Sequence, residues 1–175
     1  MQIEHMDIKM KNELVSNERK FRKMVMNNEG KYGEYIVQEL QEPGHTTEES
    51  RARYAKFAKR ILYMDANVVP GAFQMNTSWY HSCTPTDKPS VEHVHDVPEI
   101  IGFYGSDPDN PNDLCAEIEF SIEGEKHLLT KTSLIYMPPG VKHLPLAVVK
   151  ISRPVFHFSI CTSPEYTYKL TNEEV

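Results

Sequence analysis

His93-Val94-His95-Asp96-Val97-Pro98-Glu99 is the stretch of this chain best equipped for chemistry, and Pro138-Pro139-Gly140-Val141-Lys142-His143 answers it further on. Read as a strand, the first stretch turns His93 and His95 to the same side, because strand side chains alternate with a period of two. The bend at Pro98 can fold Glu99 back beside them on the next strand. His143 stands just past a Pro-Gly turn, at the head of an apolar run that reads as another strand. Three imidazoles and one carboxylate on adjacent strands of a small barrel are the donor set of a transition-metal site. They suit iron, manganese, nickel, copper or zinc, and are too rich in nitrogen for calcium or magnesium. Four protein donors on a six-coordinate ion leave positions for water or a chelating substrate, whereas a four-coordinate ion would be nearly closed. With positions open, the ion can polarise a bound oxygen or hold dioxygen.

Other side chains have weaker claims. His157, in Phe156-His157-Phe158, is the remaining candidate for a catalytic acid or base, with its face undetermined and a packed core histidine as the plainer reading. Asp96 lies between the two histidines and points the other way. Ile101 and Phe103 share the side of Glu99 by period-two counting and give the interior an apolar wall. Trp79 and Tyr80 add aromatic bulk nearby. His81 and His127 are expected at the surface, His5 and His45 outside the barrel, and Cys83 and Cys161 as inert buried thiols.

These residues need strands to hold them. From Arg60 onward, short apolar runs alternate with breakers such as Pro70-Gly71, Pro98, the Asp107–Asp113 loop, Gly124 and Pro154. The runs are 61–69, 72–81, 91–95, 99–104, 116–122, 127–129, 134–137, 144–150 and 155–161. Many short strands without intervening helices predict an all-β antiparallel sandwich or barrel. Before them, 32–40 reads as a further strand. Thr46-Thr47-Glu48-Glu49 reads as a capping box opening a helix to about Lys59, with Tyr54, Phe57 and Ala58 toward the core. The first thirty residues read as a helix or irregular arm packing through Leu14, Phe21, Met24 and Val25. The expected organisation is an N-terminal arm and helical extension over 1–59, a barrel over 60–165 and a tail over 166–175.

The chain has 175 residues, 39% hydrophobic and 25% charged, which supports a folded domain with a sizeable core. A net charge of −6 argues against nucleic acid or an anionic membrane as partner. The local excess of base in residues 1–31, seven Lys or Arg against five Asp or Glu, reads as a solvated helix face. Three cysteines in no Cys-x-x-Cys pair fit a reducing compartment, and no early apolar run suits a signal peptide or a membrane span. A cytoplasmic protein is expected.

The two stretches resemble the two sequence motifs of the cupin superfamily. The first motif, Gly-x5-His-x-His-x3-4-Glu-x6-Gly, is met by His93, His95, Glu99 and Gly105, the last one residue early. The second, Gly-x5-Pro-x-Gly-x2-His-x3-Asn, is met by Pro138, Gly140 and His143. Asp87, Thr132 and Ala147 stand where the pattern has glycine, glycine and asparagine, none of them a metal ligand in the family. The resemblance covers about residues 60–161. It implies a double-stranded β-helix of jelly-roll type with a divalent transition metal near one mouth, on His93, His95, Glu99 and His143. It also implies a homodimer. The function expected is that of a metal-dependent enzyme acting on a small polar or aromatic metabolite, of dioxygenase, isomerase or decarboxylase type. The competing readings are a non-catalytic module that binds a small molecule and a structural protein with a vestigial site.

Overall fold

Strand β5 (Asp113–Ile122) shows how the interior is made. Leu114, Ala116, Ile118 and Phe120 are buried, while Glu117 and Glu119 point out, the alternation of a strand with one dry and one wet face. The structure, a computed structural model, describes residues 30–87 and 89–171. Contacts divide the chain into residues 1–38 and residues 39–175.

In the second unit a short helix, α1 (Glu48–Tyr54), precedes ten strands. These are β1 (Ala58–Met64), β2 (Gln74–Tyr80), β3 (His93–Val94), β4 (Glu99–Gly105), β5, β6 (Glu125–Lys131), β7 (Ser133–Met137), β8 (His143–Ile151), β9 (Val155–Cys161) and β10 (Lys169–Leu170). They form two five-stranded sheets, ordered β1-β2-β9-β4-β7 and β10-β3-β8-β5-β6, and the strand pairs among the described residues are antiparallel. From β3 onward the chain changes sheet at each connection except the β5–β6 hairpin, which is the winding of a double-stranded β-helix. The all-β expectation holds. Phe103, Phe120, Ile118, Leu114 and Val148 fill the space between the sheets, with Tyr54 and Phe57 packed against them and Ala58 within the core.

Three local expectations are corrected. Residues 32–40 contain a 3-10 turn at Gly33–Tyr35 instead of a strand. The amides of Gly33, Tyr35 and Ile36 are spent on local carbonyls and cannot join a ladder. The helix cap is Thr47 with Ser50, one residue later than the expected Thr46 and Glu49. Thr46 is already used, its hydroxyl and amide both donating to the Pro43 carbonyl at 2.8 and 3.1 Å. The helix stops at Tyr54, short of Lys59, because strand β1 begins at Ala58. The expected packing of Leu14, Phe21, Met24 and Val25, and the placement of His5, lie outside the described residues.

Candidate metal centre

Two turns bring the chemistry together. Pro138-Pro139-Gly140-Val141 closes with the Val141 amide donating to the Pro138 carbonyl at 3.3 Å, and Gly140 has φ +79°, a left-handed value that suits glycine at this place in a type II turn. The Gly140 amide also donates to the His95 carbonyl at 2.9 Å, tying the turn before His143 to the segment carrying His95. In register, His93 on β3 faces His143 at the head of β8. Glu99, the first residue of β4, comes from the other sheet after the Pro98 bend.

All four residues expected as ligands therefore meet, and all four are buried. His93 Nε2 lies 3.2 Å from His95 Nε2, and Glu99 Oε2 lies 3.4 Å from His95 Nε2 and 3.0 Å from His143 Nε2. The outer nitrogens are committed elsewhere. His93 Nδ1 donates to the Val91 carbonyl at 3.0 Å, His95 Nδ1 to Thr167 at 2.6 Å, and His143 Nδ1 to Val141 at 3.1 Å. Protons placed on these nitrogens leave three Nε2 electron pairs directed at one another and at a carboxylate oxygen. Glu99 Oε2 is buried without a hydrogen bond. A knot of converging electron pairs is unfavourable unless a cation sits among them. The spacing suits one, since bonds of about 2.0–2.2 Å to a common ion put neighbouring donors about 3.0–3.5 Å apart. These residues could hold a divalent metal.

The electrostatics agree with the geometry. Burial works to raise the Glu99 carboxyl, yet the His143 and His95 imidazoles outweigh it and hold the group down to about 2. Burial likewise opposes a proton on His95, and Glu99 overcomes it, so that imidazole titrates above its ordinary value. Both directions report a place that favours positive charge. His93 is lowered to about 4 by burial and stays neutral, as a metal ligand must be.

The cluster forms part of the wall of a cavity of about 560 Å³. Tyr54, Phe57, Tyr80, Ile101 and Phe120 supply its apolar lining. The expected inward direction of Ile101 and Phe103 is observed, as both are buried on the side of Glu99.

Strand β9 settles the face of His157. It is inward and lines the cavity, with centroids 4.9 Å from Phe103 and 4.8 Å from Tyr80. Its Nδ1 donates to the Gly102 carbonyl at 3.2 Å, which leaves Nε2 as the acceptor. Burial lowers it to about 4.

The chain has the cupin fold. The strand order and winding decide this, together with the seating of the two motifs: the first spans β3 and β4, and the second makes the turn from β7 to β8. No family model matches the chain, and no curated protein matches it by sequence. Solved structures similar to it include the DMSP lyase DddQ from Ruegeria pomeroyi DSS-3, at 17% identity over 82% of this chain and 65% of that one, with a TM-score of 0.43. A double-stranded beta-helix protein from Klebsiella pneumoniae is similar at 12% identity, over 77% of this chain and 92% of that one, with a TM-score of 0.44. Oxalate oxidase in complex with glycolate is similar at 13% identity, over 82% and 67%, with a TM-score of 0.49. The chain thus spans 65% of the lyase's length.

Two further neighbours flank the cluster: Cys161, expected as a buried thiol and found buried, and Tyr166, which sequence reasoning missed. Cys161 pairs with Glu99 in register, and its sulfur lies within 4.8 Å of the donor atoms of His95 and Glu99. Burial and the Glu99 charge raise its thiol well above the usual range. Period-two counting from the buried Val155 would also have settled His157 as inside, on the same face as Cys161. Tyr166, whose hydroxyl lies 3.3 Å from His93 Nε2, returns to the site on an irregular segment and left no periodic signal. Cys83, expected to be buried, is exposed; His45 stacks on Tyr166 at 4.9 Å.

Proposed function

We propose that this barrel is a metal-dependent enzyme acting on a small polar or partly aromatic metabolite, with the ion held by His93, His95, Glu99 and His143. The observation that carries the reading is the set of three imidazoles whose Nδ1 protons are all spent on backbone carbonyls, leaving Nε2 to converge with the orphaned Glu99 oxygen beside a cavity. A bound divalent ion would act as a Lewis acid on a substrate oxygen. The chain's own residues do the rest. Tyr80, Phe57 and Phe120 exclude water and offer flat apolar surface to a ring or an alkyl body. His157, neutral near pH 7, presents Nε2 as an acceptor that orients a substrate hydroxyl or takes its proton. The Tyr166 hydroxyl is a donor beside His93, placed to meet an oxygen that enters the cluster.

The test is elemental mass spectrometry on protein purified without chelators or a nickel column, followed by a turnover screen chosen by the metal found. Near-stoichiometric iron, manganese, nickel, copper or zinc is expected, and it should fall in folded His95→Ala and His143→Ala variants. Full occupancy in both variants would mean that the ligands are misassigned. Metal with tight metabolite binding but no turnover would make the protein a binding module instead.

A further inference from the structure

Strand β9 ends inside the barrel on a residue that neither cupin motif supplies. Cys161 is completely buried, and in register it stands between Gln74 on β2 and Glu99 on β4. Its amide donates to the Gln74 side-chain oxygen at 3.1 Å, which fixes the strand end against β2. The thiol turns inward with the buried Val155 and His157, as period-two alternation requires. Its Sγ, a ring nitrogen of His95 and a carboxylate oxygen of Glu99 all lie within 4.8 Å of one another. Cys83 is exposed and Cys115 half-buried, and among the described residues neither belongs to such a group.

A buried thiol is most often a small core side chain. Polar company sets this one apart, together with Glu99 Oε2, which is buried without a hydrogen bond although a thiol lies nearby. Donors on one ion, at about 2.0–2.2 Å for nitrogen and oxygen and about 2.3 Å for sulfur, stand about 3–4.5 Å apart. Donors confined within 4.8 Å of one another can therefore share one. We propose that Cys161 is a further ligand of the ion, beside His95 and Glu99, and that its sulfur biases the centre toward zinc or copper and away from manganese. Resting on the metal centre proposed above, this assignment adds a donor from outside both motifs. Without an ion, burial and the Glu99 charge keep the proton on sulfur. A coordinated divalent ion reverses that balance. The S–H electron pair stays on sulfur and binds the metal, the proton leaves to water, and no oxidation state changes.

The experiment loads the chelator-treated full chain with cobalt(II) and reads its visible and near-ultraviolet spectrum. The wild type should bind cobalt and show a thiolate-to-cobalt charge-transfer band. Cys161→Ser and Cys161→Ala should keep the visible ligand-field bands and lose the charge-transfer band. A Cys83→Ser/Cys115→Ser double variant should keep both. That variant leaves Cys161 as the only thiol of the chain, so it decides the assignment even if the Cys161 substitutions fail to fold. Zinc affinity, measured by competition with a chelator, should fall at least ~10-fold in Cys161→Ser, and manganese affinity by less than ~3-fold. Cobalt bound without the charge-transfer band overturns the assignment and leaves the histidine and glutamate centre standing. A band that survives both Cys161 substitutions, or is lost from the double variant, overturns it as well. A wild type that binds no cobalt, zinc or manganese refutes the metal centre and the sulfur ligand together.

Discussion

The two sheets of the barrel have similar inner faces and opposite outer ones. On the β10-β3-β8-β5-β6 sheet the outward positions carry Glu117 paired with Lys150 at 3.1 Å and Glu119 paired with Lys126 at 3.7 Å, both contacts open to water. On the β1-β2-β9-β4-β7 sheet the equivalent rows carry aromatic and aliphatic side chains. The inner alternation serves the core and is shared by both. The outer composition records what each face meets, and only one of them is dressed for solvent. The cluster crosses this divide. The solvated sheet and the segment after β3 bring the imidazoles, and the apolar-backed sheet brings Glu99, His157 and Cys161.

Removing a donor from either side tests whether the site belongs to both. His143→Ala should weaken metal binding by more than ~100-fold, beyond the 10–100-fold cost of losing a supporting hydrogen bond. Glu99→Gln keeps the shape and removes the charge, and should approach that loss. In the wild type, metal at about a hundred times its dissociation constant should add ~2.7 kcal/mol of stability, visible as a thermal shift that both variants lose. Full binding in one variant would confine the site to the other sheet.

A smaller effect concerns His157, held to about 4 by burial against an ordinary value of 6.5. As pH falls from about 6.5 to about 4, the unfolded chain takes up a proton that the folded chain refuses. Stability should therefore decline through that window by up to roughly 1.4 kcal/mol per pH unit. Urea midpoints for His157→Gln should fall less steeply over the same range, and an identical slope would show that His157 does not titrate as buried. Smaller still, Tyr166→Phe should change metal affinity by no more than about 10-fold, measured by competition with a chelator. Smallest of all, Glu117→Ala on the solvated face should shift stability by less than ~0.5 kcal/mol and leave metal and assembly alone.

Most of the barrel was legible because period-two alternation and Pro or Gly punctuation survive in a single sequence. The runs at 99–104, 134–137 and 155–161 correspond closely to β4, β7 and β9. The meeting of His93, His95, Glu99 and His143 was legible for the same reason, since each sits at a strand end beside a turn. What escaped depended on partners far along the chain. Thr46 could not be excluded as a cap without seeing Pro43 take its hydroxyl. Tyr166 and the two-residue β10 are held by tertiary contacts with His93 and β3, and no local pattern announces them. The outer apolar face was within reach of simple alternation, because Phe156, Phe158 and Ile160 share a side. It became meaningful only once neighbouring strands aligned the same kind of residue beside them.

The bond from His95 to the Thr167 carbonyl has a consequence for the order in which the protein is made. Synthesis delivers the four donor side chains by residue 143, but the carbonyl that fixes the His95 tautomer, the Tyr166 hydroxyl and the strand along the edge of β3 come some twenty residues later. A nascent chain thus carries every donor atom before it can hold them still. A metal held by this cluster would meet its final donor geometry only once β10 is laid down along β3.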